Sequence, residues 1–245
     1  MKQFGLIGYP LSHSFSKKYF SEKFTKEEIK GCSYELYELS SLAGFRQWME
    51  GVKNLNGLNV TIPYKQEVIP FLDRLDDKAK AIGAVNVIKK ENDGTFTGYN
   101  SDYHGFKRSL EQFLGDAKPS RALVLGTGGA SKAVVVALQD LNIVPQYVSR
   151  TAGHGVIAYD ELTPAILSTH ALIINTSPVG MYPHVDQCPA IPYEQLGSGH
   201  YLYDLVYNPA ETLFMKKGLE RGVKAKNGLD MLVLQAEKAW EIWNS

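Results

Sequence analysis

The residues best placed to do chemistry begin with a glycine turn. Gly126-Thr127-Gly128-Gly129-Ala130-Ser131 follows the apolar run Arg121-Ala122-Leu123-Val124-Leu125 and precedes an amphipathic stretch over 129–141. Strand, glycine turn and helix in that order are the context a dinucleotide fingerprint requires. Gly126 permits a tight turn, and Gly128 lets the backbone approach a pyrophosphate. The helix start supplies N–H groups and a positive dipole end. Ser131 stands where the third glycine of the fingerprint is expected, and the turn also has a plain packing reading. A P-loop is excluded, because no glycine precedes Lys132 and Ala133 occupies the Mg²⁺-binding Ser/Thr position.

The next strand-like run ends in Val148-Ser149-Arg150-Thr151. An NAD-binding chain commonly places an acid about 20 residues past its glycines to hold the ribose 2′-hydroxyl. Here the position offers a cation between two hydroxyls, which suits a 2′-phosphate, so NADP is expected over NAD. The alternative is a solvated arginine at a strand end.

A second set of polar residues lies in the first hundred. Ser14 and Ser16 share a face of an extended segment. Asn59 and Thr61 share a face of the run Asn59-Val60-Thr61-Ile62. Pro63 follows, and because proline favours a first helical turn, Lys65 is predicted near the start of a helix over 64–72. A cation there opposes the helix dipole, so stability does not ask for it. Asn86 interrupts the apolar run Ala84-Val85-Asn86-Val87, and Asp102 opens a helical stretch. Each has a structural reading too: the serines and Asp102 as helix caps, Lys65 as a solvated side chain. None of the six histidines, His13, His104 and His154 among them, is assigned catalysis.

The elements that must position these groups alternate. Strands are predicted at 3–8, 33–38, 55–62, 84–90, 95–99, 121–126, 145–149, 171–175, 201–206 and 223–226, with helical stretches between most of them. That alternation indicates α/β architecture with a mainly parallel sheet. Asn92-Asp93-Gly94 marks one hairpin. The clearest helix is the last, where Leu229, Leu232, Val233, Ala236, Trp240 and Trp243 form an apolar stripe. Residues 1–101 are expected to form one domain and 102–227 a second, with a helix over 228–245 returning to the first.

Composition bounds the rest. The chain has 245 residues, 44% of them apolar, which suits one large or two small globular domains. Lys plus Arg and Asp plus Glu are 26 each, and zero net charge argues against general nucleic-acid binding. No apolar run approaches the roughly 20 residues of a membrane span, and no signal peptide is read at the N-terminus, so a cytoplasmic location is expected. Cys32 and Cys188 form neither a disulfide framework nor a metal site.

Taken together, eight blocks in order resemble the shikimate dehydrogenase family: Gly8 through Ser16 (G-x-P-x-x-H-S-x-S), Asn59-Val60-Thr61-Ile62-Pro63-Tyr64-Lys65, Gly83-Ala84-Val85-Asn86, Gly98-Tyr99-Asn100-Ser101-Asp102, the Gly126 turn, Asn175-Thr176-Ser177-Pro178-x-Gly180-Met181, Asp204-Leu205-Val206-Tyr207-Asn208-Pro209, and Gly228-x-x-Met231-Leu232 with Gln235-Ala236. The resemblance implies an N-terminal, mainly parallel α/β substrate domain and a Rossmann-like NADP domain. It implies NADPH-dependent reduction of 3-dehydroshikimate to shikimate in aromatic amino acid biosynthesis, in a cleft between domains. Residues matching Ser14 and Ser16 would hold the substrate carboxylate. Thr61, Asn86, Tyr207 and Gln235 would contact the substrate, and Lys65 with Asp102 would form the catalytic pair. Gly126, Gly128, Gly129 and Ala130 would take the pyrophosphate, Ser149, Arg150 and Thr151 the 2′-phosphate, and Met181, Val206 and Gly228 the nicotinamide.

The chain departs from the family pattern at Lys17, where Pro is usual, at Ser149 for Asn, at His154 for a second cation, and at Asp230 for Gly. Rival readings are an NAD-dependent quinate/shikimate dehydrogenase, a non-catalytic ligand sensor and a folate-linked dehydrogenase. The expected partner is a small molecule, with no metal, nucleic acid or membrane, in a monomer or homodimer.

Overall fold

The computed structural model describes residues 1–11 and 14–245, so Ser12 and His13 of the serine block lie outside the described residues. The chain divides into two compact units, residues 1–101 with 235–245, and residues 102–234.

The first unit is built on a six-stranded sheet of order β2-β1-β3-β5-β6-β4. Its strands are β1 (Lys2–Gly8), β2 (Cys32–Glu38), β3 (Leu55–Val60), β4 (Arg74–Leu75), β5 (Val87–Lys90) and β6 (Phe96–Tyr99). Three of the five pairings are parallel, and β5 runs antiparallel to both β3 and β6. The β5–β6 hairpin turns through Gly94 at φ 85°, a left-handed conformation open to glycine. Side chains alternate across β1: Phe4 and Leu6 pack on one face with Phe20 and Trp243, and Ile7 packs on the other with Phe45 and Met49. The first face is covered by α1 (Phe15–Lys26) and by the end of α8 (Leu229–Asn244). Trp243 stacks on Phe4 with ring centroids 4.8 Å apart, and its indole N–H donates to the Ile88 carbonyl at 3.1 Å. A Cβ at Gly57 would stand 2.2 Å from that indole nitrogen, so the seat of Trp243 requires glycine.

The second unit holds an all-parallel sheet, β12-β11-β10-β7-β8-β9. Its strands are β7 (Arg121–Leu125), β8 (Val144–Ser149), β9 (Val156–Ala158), β10 (Leu172–Asn175), β11 (Tyr201–Asp204) and β12 (Lys224–Lys226). Both faces are buried, as parallel sheets demand. Ala122, Val124 and Tyr203 pack on one side with α4 (Ser101–Leu114), whereas Leu123, Leu125 and Leu202 pack on the other with α7 (Leu213–Leu219).

The structure corrects several predicted elements. No helix spans 64–72. The segment is a run of turns ending in a 3₁₀ turn at Ile69–Phe71, so Lys65 is not at a helix start. The Val85 N–H donates to the Lys65 carbonyl at 2.7 Å, and that carbonyl is the one a helix would need for residue 69. The Tyr64 hydroxyl reaches the Leu39 carbonyl at 2.5 Å. Long-range bonds therefore replace the local ladder. Asn86 precedes β5 rather than interrupting it. β4 and β9, two and three residues long, are too short to show a period.

Candidate active site

The polar residues of the first unit gather at one edge of its sheet because of topology. The carboxyl ends of β1 and β3 lie side by side, joined by the Thr61 N–H to the Ile7 carbonyl at 2.9 Å and the Tyr9 N–H to the Ile62 carbonyl at 3.1 Å. Ser14 and Ser16 follow β1; Thr61 and Lys65 follow β3. Because β5 is antiparallel to β3, its beginning is at this same edge, and so is the end of β6. Asn86 and Ser101 therefore meet there. Ser14 is the N-cap of α1 and accepts from the Lys17 N–H at 3.4 Å. Proline at position 17 would have no such N–H. The Lys17 ammonium pairs with Glu35 at 2.8 Å.

Behind these residues runs a buried polar seam that adds Tyr34 and Ser101, to which the sequence analysis gave no role, to Ser16, Asn59, Asn86 and Gln235, which it named. The Tyr34 phenol donates to Asn59 Oδ1 at 2.7 Å and is hydrogen-bonded by Ser16. Burial pushes the Tyr34 phenol well up, so it stays protonated. Asn59 Nδ2 donates to the Asn86 carbonyl at 3.3 Å, and the Asn86 side chain joins Ser101 and Gln235. Asn59, Asn86, Ser101 and Gln235 are each less than 9% exposed. The available signal was polar residues within apolar strand runs, which must find partners if buried.

In the second unit, β7 sits at the point where the strand order reverses. Ligands of open α/β sheets bind beyond the carboxyl ends at such a point. Gly126 takes φ 111°, its N–H donates to the Val148 carbonyl at 2.8 Å, and a Cβ there would lie 3.0 Å from Thr176 Oγ1. Gly128 is the N-cap of α5 (Gly129–Asp140), whose first turn holds no acid and whose start has no side-chain cap. Cβ atoms at Gly128 or Gly129 would meet nothing within 4 Å, so the helix start with Ala130 opens outward. The Ser131 hydroxyl donates to the Gly128 carbonyl at 2.7 Å and is fully buried. Ser131 thus holds the turn shut from beneath in place of a third glycine. Ser149 ends β8, and Arg150 and Thr151 follow it exposed, as is His154. These features fit a phosphorylated dinucleotide: uncapped N–H groups for a pyrophosphate and a cation with hydroxyls for a further phosphate.

The next strand ends are tied by Asp204. Its Oδ1 accepts from Asn175 Nδ2 at 2.9 Å and from the Val206 N–H at 3.0 Å, and its Oδ2 accepts from the Thr212 hydroxyl at 2.6 Å. Burial raises its carboxyl to about 6, against the lowering effect of those bonds. Asn175 Oδ1 in turn accepts from the N–H and hydroxyl of Ser177. The network shapes the turn to Gly180 and the half-exposed Met181, and seats Val206 beside exposed Tyr207. Gly228 is buried, and a Cβ there would stand 2.1 Å from the Leu205 carbonyl oxygen. Asp102, on α4, is 8% exposed. Asp230, in the first turn of α8, pairs with Lys226, where an acid suits the helix dipole. Among the described residues no cluster could hold a metal ion, and no helix is long and apolar enough to cross a membrane.

A parallel switch-point sheet with an uncapped glycine turn, in a chain whose other α/β unit is rich in buried amides, defines a dinucleotide-binding α/β protein. A family profile described as the shikimate dehydrogenase substrate binding domain matches residues 6–88. The chain is 40% identical over 255 residues to a shikimate dehydrogenase (NADP(+)) of Clostridium beijerinckii, covering 99% of this chain and 92% of that protein. It is 35% identical over 258 residues to one of Methanococcus aeolicus, covering 99% and 91%. A crystal structure of a shikimate dehydrogenase in complex with NADP⁺ matches with TM-score 0.88 at 32% identity, covering 99% of this chain and 90% of that one. The chain belongs to the shikimate dehydrogenase family.

Proposed function

We propose that this protein reduces 3-dehydroshikimate to shikimate with NADPH, as a cytoplasmic enzyme of aromatic amino acid biosynthesis. It is an NADP-dependent oxidoreductase of its family. The observation that carries the reading is the switch-point turn at Gly126 to Ser131, with Arg150 in place of an acid at the next strand end. Residues 1–101 with the returning helix serve the substrate, and residues 102–227 serve the cofactor.

NADPH, when bound, supplies the hydride. Gly128, Gly129 and Ala130 would present N–H groups to the pyrophosphate, Gly126, whose own N–H is held by the Val148 carbonyl, would form the tight turn that lets it approach, and Arg150 with Ser149 and Thr151 would hold the 2′-phosphate. Met181, Val206 and Gly228 line the nicotinamide side. The hydroxyls of Ser14 and Ser16 hold the substrate carboxylate, and Thr61, Asn86, Tyr207 and Gln235 orient the ring. Reduction of a carbonyl places negative charge on oxygen, which needs a positioned donor that also delivers a proton. Lys65 takes that role, polarising the carbonyl and protonating the oxygen as it forms. Asp102 is its acid partner.

The test is absorbance at the reduced-nicotinamide band, with shikimate and quinate each offered with NADP⁺ and NAD⁺. Turnover is expected to be highest for shikimate with NADP⁺, and preference for quinate or NAD⁺ overturns the assignment. Lys65→Ala and Asp102→Asn should each lower kcat by about 10²–10⁴-fold, the usual contribution of a positioned acid or base. A variant that keeps near-full turnover removes its residue from the mechanism.

A further inference from the structure

Asn86, Ser101 and Gln235 form a closed hydrogen-bonded triangle in the first unit, and its bonds orient each amide. The Ser101 main-chain N–H donates to Asn86 Oδ1 at 2.6 Å. A backbone N–H cannot reverse its role, so the oxygen of the Asn86 amide is fixed on that side. Its nitrogen therefore faces Ser101 Oγ at 3.0 Å and Gln235 Oε1 at 3.5 Å. Ser101 Oγ accepts from Asn86, and its own proton faces two oxygens at 3.3 Å, Asn86 Oδ1 and Gln235 Oε1. The Asn86 amide nitrogen, which can only donate, and the Ser101 hydroxyl both face one atom of the Gln235 amide, and that atom is its oxygen. Flipping the amide would set the Gln235 N–H groups against those of Asn86 Nδ2 in a buried site.

Gln235 Nε2 takes no part in these bonds. No buried side-chain nitrogen or oxygen among the described residues lacks a partner, so Nε2 is the solvent-facing end of a side chain only 8% exposed. Ser101 itself is fully buried and touches no solvent.

We propose that Ser101 is a positioning residue that locks the Gln235 amide with its nitrogen outward, so that Gln235 offers substrate a donor. The matching group on the ligand is an oxygen lone pair, from a hydroxyl or a carbonyl. The inference rests on the assignment of Gln235 to the substrate site made above.

Steady-state kinetics with shikimate and NADP⁺ test it, with thermal unfolding run alongside. Ser101→Ala is expected to raise the KM for shikimate about 5- to 10-fold, leaving kcat and the KM for NADP⁺ within twofold. Ser101→Thr, which keeps the hydroxyl, should stay near wild type. The double variant Ser101→Ala/Gln235→Ala should match Gln235→Ala alone, because Ser101 acts through Gln235. Gln235→Glu, which presents an acceptor outward, should raise the KM above that of Gln235→Ala. This arm does not depend on whether a Ser101 variant folds. An unchanged KM in Ser101→Ala, losses that multiply in the double variant, or a near-wild-type KM in Gln235→Glu overturns the proposal. A wild-type enzyme inert toward shikimate with NADP⁺ overturns the assignment beneath it instead.

Discussion

The Asn175 amide donates to the Asp204 carboxylate at 2.9 Å, joining the carboxyl ends of the neighbouring strands β10 and β11. Every partner of this carboxylate is neutral: an amide, a main-chain N–H and a hydroxyl. A fully buried charge without a counterion is costly, and burial lifts the carboxyl from its ordinary 3.8 to about 6.

The sign of the resulting pH dependence follows. Between pH 4 and 6 the native carboxyl keeps a proton that the unfolded chain releases. Its contribution to stability is complete below pH 4 and is lost as pH rises through 6, on the order of 3 kcal/mol. Asparagine fits the same site, its oxygen facing Asn175 and Val206 and its nitrogen facing the rotatable Thr212 hydroxyl. Asp204→Asn should therefore unfold at a higher temperature than wild type at pH 8, with the gap closing by pH 5. Melting curves across that range check it, and a gap independent of pH contradicts the ionisation argument.

Gly228→Ala forces a Cβ to within 2.1 Å of a main-chain oxygen, and backbone gives less readily than a flexible side chain. The Leu205–Val206 strand end must shift. Overpacking of this kind costs about 1–3 kcal/mol. The expected outcome is a lower melting temperature with a raised KM for NADP⁺, because Val206 moves with Leu205. Equal cofactor titrations for the variant and wild type would remove Gly228 from the cofactor site.

Arg150→Ala should weaken NADP⁺ and spare NAD⁺. A charge-assisted bond to phosphate is worth about 1.5–3 kcal/mol, which corresponds to roughly 10- to 100-fold in affinity. The ratio of kcat/KM for the two cofactors is the measurement. A ratio unchanged by the substitution returns Arg150 to the status of a solvated side chain.

Trp243→Ala removes the side chain that α8 sets between Phe4 and Phe20, together with its bond to Ile88. Loss of a buried Trp costs about 3–5 kcal/mol. A fall in melting temperature of roughly 10 °C is expected. Gly57→Ala should reproduce much of that loss, since its Cβ would occupy the indole's seat. Both are read by calorimetry, and a Gly57→Ala protein as stable as wild type would show that the indole can move aside.

Much of this was legible in residue order. The turn at Gly126 declares itself because φ 111° suits glycine and because strand, turn and helix follow one another locally. The hairpin at Gly94 and the stripe on α8 are equally local, each set by one turn type or one period. Lys65 misled because Pro63 and the following residues satisfy a helix start, whereas the Val85 N–H, twenty residues away, takes the Lys65 carbonyl. Ser101 appears in the sequence only as part of the Gly98 to Asp102 block, with no role of its own. Only the antiparallel turn of β5 and β6 brings it to Asn86, and only the final helix brings Gln235 to both. Hydrogen-bond direction inside that triangle, like the raised carboxyl of Asp204, depends on burial and on partners distant along the chain. Those are properties of packing, which one-dimensional spacing does not carry.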